Sequence, residues 1–386
     1  MTTTLFQNVR ILTSTCTLER GWLLAHGRAI ASFGEGDAPA FEGANIIDSA
    51  GSVLLPGFID VHVHGAVDHD SMDATPHAVR AMARFYARHG VTSFLVTTWT
   101  DTDTRIQRAL DNAAACVGPQ EEGATVLGVH LEGPYINAEK RGAQREQDVR
   151  RADPVEASRY LDTGIIRLLS LAPEFEANHW LITECVKRGI TVSVAHTAST
   201  YAHMQKAVSL GLTHSTHTYN AMLPLTHRDP GTVGAVMTMP QIRCELIADN
   251  IHVHPVAMNV LYRAKGVEGI VLITDAVRVA GLPDGEYTLD DRPVVVKDGA
   301  VRLPDGTLAG STLTMERGLK NFIKATGESL DRLWPTSSLN AARAAHVADR
   351  KGSIEAGKDA DLVLLSADLE VQLTMAEGRI IYRSGV

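Results

Sequence analysis

The chain has 386 residues, 45% of them hydrophobic and 21% charged, proportions that exclude a disordered chain, a collagen-like repeat and a disulfide-stapled miniprotein. Its 36 Lys and Arg against 45 Asp and Glu give a formal charge of -9, and no basic run offers a nucleic-acid footprint. An anionic ligand must therefore be met by a few placed cations or a metal, because the overall field repels it.

In chain order, residues 1–52 read as short strands and turns (LFQNVRIL, GWLLAHGRAIASFG) and begin with MTTTLFQNVR, which lacks the apolar segment of a signal peptide. From about residue 53 the pattern changes to short β-branched apolar runs separated by longer segments with helix start and stop signals. Strands are expected at 58–64, 91–97, 126–132, 166–171, 191–196, 213–217, 244–249 and 270–275. Between them, Thr75-Pro76 and Asp153-Pro154 each set a capping side chain before a proline at the first helical position. Gly90, Gly118, Gly164, Gly189, Gly211 and Gly266 stand near the next apolar run, where helices commonly end on a left-handed residue.

Strand and helix alternating through eight units require parallel pairing, since each crossover returns the chain to the same end of the sheet. An open doubly wound sheet would carry a glycine-rich phosphate loop after an early strand, and the sequence has neither GxGxxG nor the Walker pattern. We expect an α/β fold: a closed (β/α)8 TIM-type barrel over 53–347, with a β-rich insertion at 285–308 where strand-like runs alternate with Asp-Gly turns. The tail (ADLVLLS, GRIIYRSGV) is again strand-like, so 1–52 and 348–386 together are expected to form a small β-sandwich domain. Cys16, Cys116, Cys185 and Cys244 are scattered without Cys-x-x-Cys spacing and read as free thiols in a reducing compartment. With no stretch of about 18 apolar residues, the expectation is a cytoplasmic protein with no membrane and no nucleic-acid partner.

Candidate chemistry gathers at strand ends. His62 and His64 close the first expected strand, and period-2 alternation puts both imidazoles on one face. Glu132 ends the third, His196 the fifth, His217 the sixth and Asp275 the eighth, all at the carboxyl end where barrel enzymes place their active sites. Imidazoles with carboxylates suit Zn, Fe or Mn better than calcium. Six ligands exceed what one tetrahedral ion with an open position can use, whereas two divalent ions sharing a carboxylate use them all. His214 is an odd number of residues from His217 and is expected to face away from it. His77, His89 and His203 fall on expected helices, and His130 lies a layer below Glu132, in a hydrogen-bonding rather than ligating position.

The runs PGFIDVHVHG (56–65), HLEGPYIN (130–137), THTYNAM (216–222), HRDPG (227–231), ADNIH (248–252), LAGSTLTM (308–315) and GKDADLVLL (357–365) resemble the N-acetylglucosamine-6-phosphate deacetylases of the amidohydrolase superfamily. The resemblance implies that Glu132, His196 and His217 hold a principal ion, that Glu132 can bridge to a second on His62 and His64, and that Asp275 is the general base and acid. It further implies that Asn220 and the Ala221 backbone fix the sugar and that His252 contacts the substrate. By the same resemblance, Ala143 and Gln144 lie over the sugar or phosphate, and Leu308, Ala309 and Gly310 line the pocket by main chain. Arg228 would reach the sugar phosphate of the neighbouring subunit in a homodimer, a guanidinium fork fitting phosphate oxygens.

Two positions depart from the family pattern. Gln144 stands where many members carry His, exchanging a charged contact for a neutral amide. Asp249-Asn250 replaces a frequent Asp-Gly, which Asn satisfies if the site needs a positive φ. The expected reaction is hydrolysis of the N-acetyl group of N-acetyl-D-glucosamine 6-phosphate in amino-sugar catabolism. Alternatives are the N-acetylgalactosamine 6-phosphate epimer, another amidohydrolase, or a non-enzymatic sugar-phosphate binder, the last disfavoured because every ligand and the acid/base are present. Cyclic-amide hydrolases of the superfamily bridge their metals with a lysine on the fourth strand, and 166–171 contains none.

Overall fold

The computed structural model describes residues 2–385. Eight strands, Phe58–Val63, Val91–Thr97, Gly123–Glu132, Ile166–Leu171, Thr191–Val194, His214–Ser215, Arg243–Ile247 and Ile270–Ile273, pair in that order, each parallel to the next. The ring closes where the first strand meets the chain just beyond the eighth: Asp275 N donates to the His62 carbonyl at 3.0 Å and His64 N to the Ala276 carbonyl at 2.8 Å. The strands are buried on both faces, as a parallel barrel wrapped by helices requires.

Local signals act as the sequence suggests. The Thr75 side chain accepts from Ala78 N, and Asp153 accepts from Val155 N and Glu156 N, with Pro76 and Pro154 opening the helices Pro76–Arg88 and Pro154–Asp162. After the eighth strand the chain detours through an antiparallel sheet, Gly285–Leu289, Arg292–Lys297, Ala300–Arg302 and Leu308–Ser311, before the helix Met315–Thr326. The insertion thus extends past the expected limit of 308. Its last strand is sewn to the barrel by Ser311 N donating to the Asp275 carbonyl at 2.8 Å.

Both chain ends enter one further sheet, in the order Arg379–Arg383, Val371–Ala376, Leu362–Leu365, Val53–Pro56, Thr3–Leu12, Thr17–His26, Ala29–Glu35, with Asn45–Asp48 beside Thr3–Leu12. Val53–Pro56 belongs to this sheet, so the barrel begins after it rather than at residue 53. The reason is pairing: this short strand bridges Thr3–Leu12 and Leu362–Leu365, joining the two termini. Alternation divides its residues. Leu54, Leu362 and Leu364 enter the sheet's own apolar cluster with Phe6, Ile30 and Met375, while Val53, Leu55, Val363 and Leu365 pack into the barrel's cluster.

A buried ion cluster ties the ends together. The Lys351 ammonium is fully buried, with Asp361 at 2.6 Å and Asp359 and Glu377 each at 3.2 Å, and Arg28 and Arg350 close on Asp359. Lys351→Met would leave the buried Asp361 carboxylate without its cation and remove one from Asp359 and Glu377, which Arg28 still reaches, a loss of about 3–5 kcal/mol. We expect a correspondingly lower urea midpoint; an unchanged midpoint would contradict this role.

Candidate metal centre

Strand ends deliver the candidate side chains to one point, by two different means. His62 lies on the first strand and His64 just past it, brought together by the pleat with their Nε2 atoms 3.2 Å apart. His196, His217 and Asp275 lie two residues past their strands, each in left-handed backbone with φ of 43°, 30° and 51°. The expected strands 191–196, 213–217 and 270–275 therefore end early. Such conformations cost on the order of 1–3 kcal/mol each for residues other than glycine, and here they turn side chains inward that a continued pleat would aim elsewhere.

Glu132 is the hub. Its Oε1 lies 3.0 Å from His217 Nε2, 3.3 Å from His196 Nε2 and 3.6 Å from His62 Nε2; its Oε2 lies 3.3 Å from His64 Nε2. Asp275 Oδ1 lies 3.3 Å from His64 Nε2 and 3.5 Å from His62 Nε2. All six residues expected at the centre thus converge. Burial alone would raise the Glu132 carboxyl, but the charge of His62 and hydrogen bonds from His196, His217 and His64 hold it well below the usual range. Burial opposes the charge on His62, yet the Glu132, Asp275 and Glu245 carboxylates push its pKa up to about 10. The carboxylates create a field that strongly favours positive charge at this point.

The donor chemistry fits a divalent ion. His62 Nδ1 donates to Glu245 Oε2 at 2.9 Å and His196 Nδ1 to the Lys140 carbonyl at 2.9 Å. A neutral imidazole carries one N–H, so these bonds leave the Nε2 lone pairs of both rings facing Glu132. A cation placed among them answers the same field that otherwise holds a proton on His62.

The centre forms the floor of a cavity of about 320 Å³, with Trp99 and Lys140 in its walls. Among the expected substrate residues, Ala143, Gln144, Asn220, Ala221, His252, Leu308 and Gly310 line it. Gly310 has φ 60°, and a Cβ there would come within 2.2 Å of Val277 Cγ1, so only glycine lets this backbone wall the cavity. Ala309 does not line the cavity; its side chain is buried in the apolar cluster of the insertion. Arg228 sits exposed on the 223–230 loop, outside the cavity of its own chain.

Gln144 lines the cavity, where the expectation set it over the sugar or phosphate, and it is also bonded to the centre. Its Nε2 donates to Glu132 Oε2 at 2.7 Å and its Oε1 accepts from Thr100 N at 2.7 Å, so it orients the central carboxylate. Asn250 does adopt the positive φ, 66°, but lies outside the cavity lining. His252 Nδ1 donates to Asp249 Oδ2 at 2.6 Å.

His214 corrects the parity argument. It points into the barrel, Nε2 3.5 Å from Glu245 Oε1; the parity count fails because the left-handed backbone at His217, not the pleat, sets where His217 points. His130 lies beneath the centre, Nδ1 donating to the Val61 carbonyl at 3.1 Å and Nε2 accepting from Ser170 Oγ at 2.6 Å. Burial, then the neighbouring His62 charge, drives its pKa down to about 3.

Three contributors went unnoticed in the sequence. The Trp99 ring stacks on His64 with centroids 4.0 Å apart and planes at 26°; its place just past the second strand was the available signal. Glu245 is a fully buried carboxylate inside an apolar strand, which alternation could have flagged. Lys140 acts on His196 through its carbonyl, for which no side-chain pattern exists.

A parallel eight-stranded barrel with imidazoles and carboxylates converging at the carboxyl ends of its strands defines the barrel hydrolases that build a metal centre on the strand tops. The sequence model described as "Amidohydrolase family" matches residues 53–381, and the chain belongs to this family. It is 40% identical over 340 residues to N-acetylglucosamine-6-phosphate deacetylase of Bacillus subtilis (strain 168), covering 87% of this chain and 86% of that one. It is 37% identical over 366 residues to N-acetylgalactosamine-6-phosphate deacetylase of Escherichia coli O157:H7, covering 94% and 96%. Among solved structures, N-acetylglucosamine-6-phosphate deacetylase from Thermotoga maritima superposes with a TM-score of 0.88 at 36% identity, covering 98% of this chain and all of the other.

Proposed function

We propose that this chain hydrolyses the N-acetyl group of N-acetyl-D-glucosamine 6-phosphate, releasing D-glucosamine 6-phosphate and acetate, in amino-sugar catabolism. The observation that carries the reading is the convergence of four imidazole Nε2 atoms and the Glu132 and Asp275 carboxylates on the floor of one cavity. The relatives named for this reaction cover most of the chain.

Glu132, His196 and His217 would hold one divalent ion, and His62 and His64 a second, with Glu132 between them; Zn, Fe and Mn suit the set. When bound, such ions lower the pKa of water and polarise the amide carbonyl. Asp275 accepts the proton lost as water adds to that carbonyl and returns it to the nitrogen as the C–N bond breaks. A new C–O bond replaces it, acetate departs and the amine keeps the proton, which it needs because an unprotonated amine is a poor leaving group. Asn220 and the Ala221 backbone hold the sugar, with His252 against the substrate, the Ala143 wall above it, and the Leu308 and Gly310 main chain along one side. In chain terms, the catalytic unit is the barrel that begins after Val53–Pro56 and runs to residue 347, with the insertion at 285–311, supported by the sheet of both ends.

Arg228 is exposed in its own subunit, which suits a reach into the neighbouring site of a cytoplasmic homodimer. Arg228→Ala should raise the KM for the 6-phosphate about 10–100-fold, the worth of a charged hydrogen bond of roughly 1.5–3 kcal/mol, with kcat and the turnover of unphosphorylated N-acetylglucosamine nearly unchanged. An unaltered KM would remove Arg228 from phosphate recognition. Acetate release tests the activity itself: an unphosphorylated sugar turned over as well as the 6-phosphate would overturn the substrate. The relative named for the galactosamine epimer favours a second reading, which a higher kcat/KM for N-acetylgalactosamine 6-phosphate would establish.

A further inference from the structure

Beneath the centre, Glu245 projects from the strand Arg243–Ile247 into the closed barrel and is fully buried. Its Oε2 accepts two hydrogen bonds that belong to different halves of the centre. One comes from the His62 ring, Nδ1 at 2.9 Å; the other from the His217 backbone N–H at 3.2 Å. The His62 bond fixes which ring nitrogen carries hydrogen, so the Nε2 lone pair faces Glu132 and His64, and a carboxylate acceptor raises the basicity of that nitrogen. The His217 bond restrains a residue held at φ 30°, a conformation that persists only where the surroundings over-determine it. A central strand paired on both sides is a rigid support for such a role.

We infer that Glu245 is the positioning residue that couples the two halves of the metal centre, orienting His62 through its ring and His217 through its backbone. The inference rests on the metal-centre reading above and goes beyond it in assigning one carboxylate to both ligand sets.

The test is Co(II) titration of metal-stripped full-length protein, following visible absorption and ions bound per subunit, on wild type, Glu245→Leu and Glu245→Gln. Leucine removes the acceptor, and we expect Co(II) affinity to fall about 10–100-fold, the usual effect of losing such a partner, with an altered visible spectrum. Glutamine keeps a neutral acceptor and should recover part of the affinity and the wild-type band positions, a rescue that a filler of space would not produce. Wild-type affinity and spectrum in Glu245→Leu would overturn the inference. If that variant does not fold, undiminished affinity in Glu245→Gln would overturn it instead. Wild-type protein that takes up no Co(II) would overturn the metal centre itself, a different result from equal binding by wild type and variants.

Discussion

Asp275→Asn should lower kcat by about 10³–10⁴-fold, the upper range for a positioned acid–base group, while metal content per subunit stays at the wild-type level. The carboxylate lines the cavity and lies 3.3 Å from His64 Nε2. Burial would raise its pKa, but the charge of His62 and the hydrogen bond and charge of His64 hold it below the usual carboxylate value, so near neutral pH it is ionised and able to take a proton. Asparagine preserves the shape and cannot accept that proton. Because Glu132 and four imidazoles remain, the ions stay bound. Acetate release with metal analysis on the same sample decides the matter: substantial remaining activity would sink the acid–base role, and lost metal would make Asp275 chiefly a ligand.

Glu132→Gln should be as severe by another route. Glu132 touches every imidazole of the centre, through Oε1 for His62, His196 and His217 and through Oε2 for His64. An amide keeps the volume but loses the charge and one acceptor, so neither half retains its shared ligand. Activity should fall to that of metal-stripped protein, and both ions should be lost on gel filtration. A thermodynamic signature separates this from misfolding. Wild-type protein gains about 2.7 kcal/mol of stability when free metal is 100-fold above Kd, whereas the variant should show the metal-free stability at every metal concentration. Retention of two ions would refute the bridging position.

How far the sequence went is clearest residue by residue. The barrel was legible because its strands are apolar runs bounded by proline-opened and glycine-closed helices, and the pleat alone brings His62 and His64 together. The remaining ligands were legible by chemical type and by their place at strand ends, yet how they point was not. His196, His217 and Asp275 turn inward through left-handed backbone, which period-2 counting cannot anticipate, and the turn at His217 brings it to the side that His214 already faces from its strand. Gln144 lines the cavity and also binds Glu132, an engagement made by the loop that carries it.

By itself, then, the amino-acid sequence determined the fold class, the family and the six residues of the candidate centre, since these depend on local pattern and on side-chain chemistry. Only the tertiary structure decided what holds them: Glu245 is 183 residues from His62, and Val53–Pro56 pairs with strands from both ends of the chain. Such partners meet only when the barrel closes. Hydrogen bonding between groups far apart in sequence leaves no periodic trace along the chain, whereas burial of a strand face leaves one at every second residue.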